Sequence, residues 1–329
     1  MQLIPTGRNG IWRLYNVMDD KLLSLQLDIS TKRFCGCSKG WLIGVDESFT
    51  VTLINPLFRL KGTRKREKSI IRLPPLNPAS WGGSGPGVFD CNYGVHKATI
   101  SADPILHAND CIVLVIYEDS CRLAFIRLNK DTTWTYFEHA GGIYEIVHIR
   151  DKFYAIDNLS QLLSFDMTAR FDSDIKLLGR EIPQETFKKL YLVNLNEKEL
   201  LMVERYIEHD FEVAFKRVTT KFEVFKFDYD KCKWIKKKSL GDFALFLGDN
   251  SSIAVLASSI SGCQSDCIYF NHDFERMTAI TFGNRGPHDF GVYDLKTRTF
   301  NFRPYSKVAM SMMKKSLRPP IWFVPNFQL

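Results

Sequence analysis

The sequence lacks any run of apolar residues long enough to cross a lipid bilayer. A membrane-spanning helix needs about 18 to 20 consecutive apolar residues, whereas the longest clear apolar run here is Cys111 to Tyr117. The N-terminal stretch Met1-Gln2-Leu3-Ile4-Pro5 also lacks the basic segment and apolar run of a signal peptide. We therefore expect a cytoplasmic or nuclear protein that has no membrane partner.

Cysteine is also sparse. The 329-residue chain has 8 cysteines, and the close pairs are Cys35-x-Cys37 and Cys263-x3-Cys267. This spacing matches neither a dense disulfide scaffold nor the paired CxxC motifs of a zinc site. We expect thiols that act as small core residues in a reducing compartment, with no metal and no cofactor.

Catalytic signatures are missing or broken. The glycine-rich stretch Gly82-Gly83-Ser84-Gly85-Pro86-Gly87 lacks the spacing of a dinucleotide-binding turn, and Val88 stands where a phosphate loop needs lysine. Glu208-His209-Asp210 offers three types of metal ligand, but adjacent residues rarely point at one ion, so a solvated loop is the favoured interpretation. His288-Asp289 has no nucleophile nearby in the sequence, and we interpret it as a turn. We therefore predict no catalytic residues.

The net charge of +7 raises the question of nucleic acid binding. The clearest basic run, Lys61 to Lys68, looks like a separate loop, since a nucleic-acid groove interleaves basic residues with aromatic ones on one surface. We expect no nucleic acid partner. Reversing Arg64, Lys65 and Arg66 to glutamate is expected to slow association with an acidic protein and to leave stability within about 0.5 kcal/mol. The candidate partner-binding residues are Arg64, Lys65, Arg66, His209, Arg285 and His288.

A recurring unit of short strands runs along the chain. Strands that end in an Asn or Asp turn recur, and an aromatic residue follows three of these turns: Trp134, Trp234 and Phe300. Many of these strands are apolar on both faces, which is typical of propeller blades because each blade is covered by two neighbours. The polar stretches Glu208 to Thr220 and Asn271 to His288 are interpreted as loop insertions, and helices are expected at Gln184 to Leu190 and Val308 to Lys315.

The two ends of the chain supply one further unit. Residues 2–5, Ile11 to Asn16 and Leu22 to Leu27 are predicted strands, and Pro320 to Pro325 provides a fourth that closes the ring. The predicted fold is all-β, a β-propeller of six four-stranded blades closed by N- and C-terminal strands, with residues 1–329 as a single domain. Trp322 and Phe323 are the residues predicted to close it.

Six segments that follow one another along the chain form a further pattern: Cys35 to Leu42, Asn55-Pro56-Leu57, Ala244 to Ser251, Asp266 to Phe270, Gly291 to Asp294 and Pro320 to Pro325. In these segments the sequence resembles the plant KIB-type β-propeller domain family, long catalogued as a domain of unknown function. The resemblance implies a propeller that recognises a target protein. Relatives usually carry an N-terminal F-box module that docks on the Skp adaptor of a ubiquitin ligase.

No leucine-rich F-box helices are apparent before the propeller strands, so we expect this chain not to bind the Skp adaptor. The predicted function is therefore a non-enzymatic protein-interaction module, either a ligase substrate receptor or a regulator without an F-box. The alternative is a hydrolase-like propeller enzyme that uses its central channel. That alternative needs carboxylates or histidines from several blades, whereas the innermost strands are predicted to be Phe34-Cys35, Leu192-Val193 and Ala244-Leu245-Phe246.

Overall fold

The computed structural model describes most of the chain, in thirteen segments. These are residues 1–5, 11–28, 33–56, 70–77, 94–118, 121–137, 142–165, 175–179, 188–210, 216–273, 288–301, 307–315 and 320–324. The predicted run Arg64 to Arg66, the glycine-rich stretch 82–87 and Arg285 lie outside them.

The described residues form the predicted β-propeller of six blades. The first blade contains β1 (Gln2–Pro5), β2 (Ile11–Asn16) and β3 (Lys21–Asp28), joined by the C-terminal strand β25 (Ile321–Trp322) in the order β25-β1-β2-β3. Strand β25 pairs antiparallel with β1, with Gln2 opposite Trp322 and Leu3 opposite Ile321. The ring is thus closed by strands from both ends of the chain, as predicted.

The second, third and fourth blades are four-stranded antiparallel meanders. The second blade contains β4 (Arg33–Ser38), β5 (Trp41–Val45), β6 (Thr50–Ile54) and β7 (Ile70–Pro75). The third contains β8 (Val95–Ile100), β9 (Ile112–Tyr117), β10 (Arg122–Arg127) and β11 (Thr135–Tyr136). The fourth contains β12 (Ile143–Ile149), β13 (Lys152–Asp157), β14 (Leu162–Phe165) and β15 (Ile175–Gly179). The first strand of each blade lies at the centre of the ring, and the last lies outermost.

The fifth and sixth blades share one nine-stranded sheet. The fifth contains β16 (Lys188–Leu195), β17 (Glu199–Asp210), β18 (Lys216–Asp228) and β19 (Lys233–Lys237). The sixth contains β20 (Phe243–Gly248), β21 (Ser251–Leu256), β22 (Cys267–Phe270), β23 (Gly291–Asp294) and β24 (Thr299–Asn301), in the order β21-β20-β22-β23-β24. A single parallel pairing, Asn194 with Ile253, joins the two blades.

The sixth blade differs from the prediction in strand number and in its innermost strand. It has five strands because the hairpin β20–β21 places β21 inside β20. The segment Ala244-Leu245-Phe246 therefore lies on the second strand, and β21 faces the channel instead. Strand β21 opens with the polar pair Ser251-Ser252, and its apolar residues Ile253 to Leu256 were not recognised as an inner strand.

The hydrophobic core lies between the blades. Each neighbouring pair encloses its own buried cluster, and the six clusters contain, in ring order, Trp12 with Phe34, Trp41 with Val113, Leu114 with Phe153, Tyr154 with Leu192, Phe222 with Phe270, and Phe246 with Trp322. Because both faces of a blade are covered, strands such as β5 and β22 are buried at every residue. Cys35, Cys111 and Cys267 are buried in these clusters, and burial raises the pKa of the Cys35 thiol to about 12.

One of the two predicted helices is present in the structure. The helix α1 (Lys307–Lys315) is confirmed, and its Ala309 and Met313 pack on Ile4 and Tyr15 of the first blade. The helix predicted at Gln184 to Leu190 is wrong over Lys188–Leu190, because these residues open strand β16. Within the described part of the chain, no helix is long and apolar enough to cross a membrane.

Candidate protein-binding face and central channel

The innermost strands divide the surface into two faces. Strands β4, β8, β12, β16, β21 and β25 lie side by side around the channel. We call the edge at which these strands begin the upper face and the edge at which they end the lower face. Since successive strands of a meander alternate in direction, β13, β17 and β22 end at the upper face, and β18 and β23 begin there.

A long hairpin projects at the upper face. Strand β16 begins at Lys188, which pairs with Tyr206 of β17. Strands β17 and β18 continue past this level for four further pairs, from Ile207 opposite Thr219 to Asp210 opposite Lys216. This corrects the loop predicted for Glu208 to Thr220, because both arms of that segment are strand. Glu208, His209 and Asp210 therefore lie on strand β17.

Arg205 anchors the base of this hairpin. Its guanidinium is fully buried and donates to Asp273 Oδ2 at 2.8 Å and to Asp289 Oδ2 at 2.9 Å. It also donates to the hydroxyl oxygens of Tyr191 at 3.0 Å and Thr219 at 2.7 Å. Strands β16, β17 and β18 of the fifth blade are thereby held against the ends of β22 and β23 in the sixth blade.

Arg217 forms a second connection between the fifth and sixth blades. Its side chain lies 3.3 Å from both Asp273 Oδ2 and Asp289 Oδ2, and Lys189 forms ion pairs with Asp249 and Asp273. Three cations (Lys189, Arg205 and Arg217) thus face three carboxylates (Asp249, Asp273 and Asp289). Charge balance and several hydrogen bonds are what a buried ionic cluster requires, so we name these six residues the upper charge cluster.

The cluster sets the protonation of its members. Burial alone raises the pKa of Asp273, but Lys189, Arg205 and Arg217 outweigh it and hold the pKa well below the usual range. Burial lowers the pKa of the neighbouring His272 well below its usual value, and Arg217 and His288 reinforce that effect. Asp273 is therefore anionic and His272 neutral near neutral pH. In the described residues, no group of three or more His, Cys, Asp or Glu side chains is placed to hold a metal ion.

Two predicted partner-binding residues come to the upper face. His209 lies opposite Arg217 in the β17–β18 pairing, and His288 Nε2 accepts a hydrogen bond from the Arg217 backbone N–H at 3.3 Å. The rings of His288 and His272 are 4.6 Å apart between centroids. Whether His209 and His288 contact a partner stays a prediction, and the same holds for Arg64, Lys65, Arg66 and Arg285, which lie outside the described residues.

No motif in the sequence predicted the upper charge cluster. Arg205, Asp273 and Asp289 are separated by up to 84 positions and meet only when the fifth and sixth blades pack. Two adjacent charged residues, Glu204 and Arg205, interrupt the apolar run in β17 and were the one feature that indicated an unusual environment.

The central channel contains ionisable side chains from neighbouring blades. Lys97 of β8 and Glu145 of β12 form a buried ion pair with 2.5 Å between Nζ and Oε2. The Leu192 backbone N–H of β16 donates to the same oxygen at 3.3 Å, and the Ser252 hydroxyl of β21 lies 3.4 Å from Lys97 Nζ. Four blades therefore meet at this pair, which sequence analysis missed because β8 and β12 were not recognised as innermost strands.

Comparison with known proteins agrees with this architecture. A family model described as KIB1-4 beta-propeller matches residues 14–294. The chain belongs to this family. Arabidopsis thaliana relatives include the Putative F-box protein At5g55150, 25% identical over 80% of this chain and 68% of its own, and F-box protein SKIP23, 25% identical over 79% and 69%. Putative F-box protein At4g22170 is 26% identical over 94% of this chain and 78% of its own.

Family membership bears on the general class of function. The β-propeller of this chain corresponds to a region of proteins named as F-box proteins. This favours a protein-interaction module.

Proposed function

We propose that the chain is a non-enzymatic, single-domain propeller that recognises a protein target through its upper face. Its cellular role is that of a ubiquitin-ligase substrate receptor, or of a regulator that binds the same target without an F-box. The names of the relatives support the ligase connection, and the propeller architecture supports target binding. The target is a protein and not a nucleic acid or a membrane.

The projecting hairpin is the observation that carries this proposal. A surface that is rigid before binding loses little conformational entropy when a partner docks on it. Here the base of the β17–β18 ribbon is fixed by Arg205 and Arg217, each of which forms ion pairs with both Asp273 and Asp289. The upper charge cluster thus holds the β17–β18 hairpin in a fixed position at the upper face.

Apolar side chains accompany the hairpin at the same face. Val218 of β18 is 37% exposed, and Tyr144 at the beginning of β12 is 58% exposed. A bulge between Ile143 and Glu145 places Tyr144 out of the regular β12–β13 register. Exposed aromatic residues frequently dominate binding energy in protein interfaces, so Tyr144 is the first residue to test.

The experiment compares two pairs of substitutions. Tyr144→Asp with Val218→Asp alters the upper face, and Leu106→Asp with Leu256→Asp alters the lower face, where these leucines are 62% and 43% exposed. Each tagged protein is expressed in plant tissue, and co-purified proteins are quantified by mass spectrometry. We expect a partner that wild type and the lower-face variant retain and that the upper-face variant loses by tenfold or more. If only the lower-face variant lost the partner, the interface would lie on the lower face and the proposal would be wrong.

The channel gives one specific reason to test the enzymatic alternative. Lys97, Glu145 and His148 bring ionisable groups from two blades to the channel. Lys97 and Glu145 neutralise each other, which leaves no pair of carboxylates for acid and base roles. We expect no turnover in a screen of generic glycoside and ester substrates, and turnover abolished by Glu145→Gln would overturn the non-enzymatic proposal.

A further inference from the structure

The outermost strand of the fifth blade forms the edge of its sheet. Strand β19 (Lys233–Lys237) is the terminal strand, and within the described residues it pairs with β18 alone. Every residue of β19 is paired with β18, and the register does not shift. An edge strand directs alternate backbone N–H and C=O groups away from its sheet, so β19 can accept one further strand.

The other outermost strands are less suited to such pairing. Strand β7 ends in Pro74-Pro75, and β11 and β24 are short. The pairings of β3 and β15 with their neighbours contain register shifts. A proline removes a hydrogen-bond donor and a bulge twists an edge away from a partner. Among the described outermost strands, β19 is therefore the one that offers a regular edge.

Positive charge is concentrated along this edge. Residues 233–238 contain no acidic side chain and four basic ones: Lys233, Lys236, Lys237 and Lys238. The side chains of Lys233, Lys236 and Lys238 are exposed. Ile235, in the middle of the strand, is 41% exposed. The edge thus combines lysine ammonium groups with one exposed aliphatic side chain.

The neighbouring carboxylates do not neutralise the lysines. Each of two carboxylates is shared by two lysines: Glu223 by Lys221 and Lys236, and Glu199 by Lys226 and Lys237. One positive charge therefore remains at each of these two sites. Because Lys236 and Lys237 are adjacent on a strand, their side chains point to opposite faces of the sheet. The excess of positive charge is consequently present on both faces of the edge.

These charges select the kind of strand that can pair with β19. A second copy of this edge would place lysines opposite lysines, and like charges on paired strands are destabilising. An acidic segment would instead place its carboxylates beside the lysines, and its backbone would supply the hydrogen bonds of a new strand. The lysines thus disfavour self-association and attract an acidic partner at the same edge.

We propose that β19 binds an extended acidic segment of a partner protein, which adds a strand to the outer edge of the fifth blade. Carboxylates of the segment pair with the lysines, and one of its apolar side chains packs on Ile235. Strand β19 pairs with residues 224–228 of β18, whereas the hairpin projects at the upper face over residues 207–219. The edge is therefore a second interface, and it does not depend on the target recognition proposed for the upper face.

Capped peptides of about seven residues test this proposal, because that length spans an ordinary strand. Glutamate alternates with valine in the acidic probe, and lysine replaces glutamate in the basic probe. A third probe is the acidic peptide with N-methylated central residues, which keeps the charge and cannot pair as a strand. Calorimetry with the full chain measures the three affinities at about 50 mM salt. We expect the acidic probe to bind about tenfold or more tightly than the other two, and to weaken at about 500 mM salt.

Two outcomes of the peptide experiment would overturn the proposal. Equal affinity of the acidic probe and its N-methylated form would mean that charge alone attracts the peptide, without strand pairing. No binding of the acidic probe up to about 2 mM would mean that the lysines only protect the edge against other strands.

Hydrogen exchange and variants locate the interface. The acidic probe should slow exchange of the backbone amides of β19. Lys233→Gln combined with Lys236→Gln and Lys238→Gln should weaken its binding about tenfold or more. The matched control removes the same charge at three other exposed lysines: Lys130→Gln, Lys152→Gln and Lys307→Gln. Both variants should keep the wild-type melting temperature, since only exposed side chains change. Equal weakening in both variants, or slower exchange only outside β19, would contradict the assignment of this edge.

Discussion

The indole Nε1 of Trp322 donates a hydrogen bond to the backbone carbonyl oxygen of Leu247 at 2.9 Å. This bond links the C-terminal strand of the first blade to the sixth blade. The Trp322 ring also contacts Phe246 edge to face, with centroids 4.9 Å apart, and Phe323 is fully buried. The two aromatic residues thus lie where the ring joins its beginning to its end.

We predict that the C-terminal strand is essential for stability. Trp322→Ala should lower the free energy of unfolding by about 3 to 5 kcal/mol because it opens a cavity between two blades. Deleting residues 319–329 removes both Trp322 and Phe323 and should unfold the domain, since total stability is about 5 to 15 kcal/mol. Urea unfolding monitored by circular dichroism measures both.

A matched variant separates the hydrogen bond from the burial. Trp322→Phe keeps most of the apolar contact with Phe246 but loses the bond to Leu247, so it should cost less than Trp322→Ala. A truncated protein with unchanged melting behaviour would refute closure through this strand.

The second prediction concerns the upper charge cluster. Arg205→Met should destabilise the protein by about 3 to 5 kcal/mol, because Asp273 and Asp289 lose a buried cationic partner. The double variant Arg205→Met, Asp273→Asn should recover part of this loss, since it removes one uncompensated charge. Urea unfolding of the wild type, the two single variants and the double variant gives the coupling energy. Strictly additive effects would mean that the two residues do not interact.

Sequence patterns predicted the propeller because its strands carry the information locally. Thr50–Ile54, Lys152–Asp157 and Cys267–Phe270 are strands at the predicted positions, and their apolar residues on both faces reflect covering by two neighbouring blades. In contrast, β21 opens with the polar pair Ser251-Ser252, and β17 ends in the polar run Glu208-His209-Asp210. Their strand conformation is set by pairing with β20 and by the bonds of Arg205 and Arg217.

The site residues were harder to predict for a related reason. Lys97, Glu145 and His148 belong to innermost strands, but nothing in a single strand's sequence shows which side faces the channel. Charge partners such as Arg205 and Asp273 come from different blades. Their roles follow from the order of blades around the ring, which local periodicity does not specify.

The third prediction is a loss of stability on mild acidification. The pKa of His148 is about 4 in the folded protein and about 6.5 in an unfolded chain, so the unfolded state binds more protons between these values. Stability is therefore fully present above pH 6.5 and falls as the pH drops toward 4. At pH 4.5 this single group should cost about 2 kcal/mol, and His272, whose pKa is also lowered, adds to the loss.

Substitution isolates the contribution of His148. The variant His148→Phe should lose about 2 kcal/mol less stability than wild type between pH 7 and pH 4.5, whereas the exposed control His107→Phe should follow wild type. Urea midpoints at the two pH values provide the measurement. Identical pH profiles for wild type and His148→Phe would mean that His148 titrates alike in the folded and unfolded states.

The last prediction is that the 329-residue chain does not bind the Skp adaptor. Docking by F-box helices needs an exposed amphipathic helical face, whereas Gln2–Pro5, Ile11–Asn16 and Lys21–Asp28 are strands of the first blade. Their apolar side chains Leu3, Trp12 and Leu14 are buried against the second blade and are not available to a partner. A pull-down with purified adaptor at micromolar concentration should therefore show only background, and fusing the F-box of a relative through a flexible linker should restore binding. Robust binding of the unfused chain would place the docking function within the propeller itself.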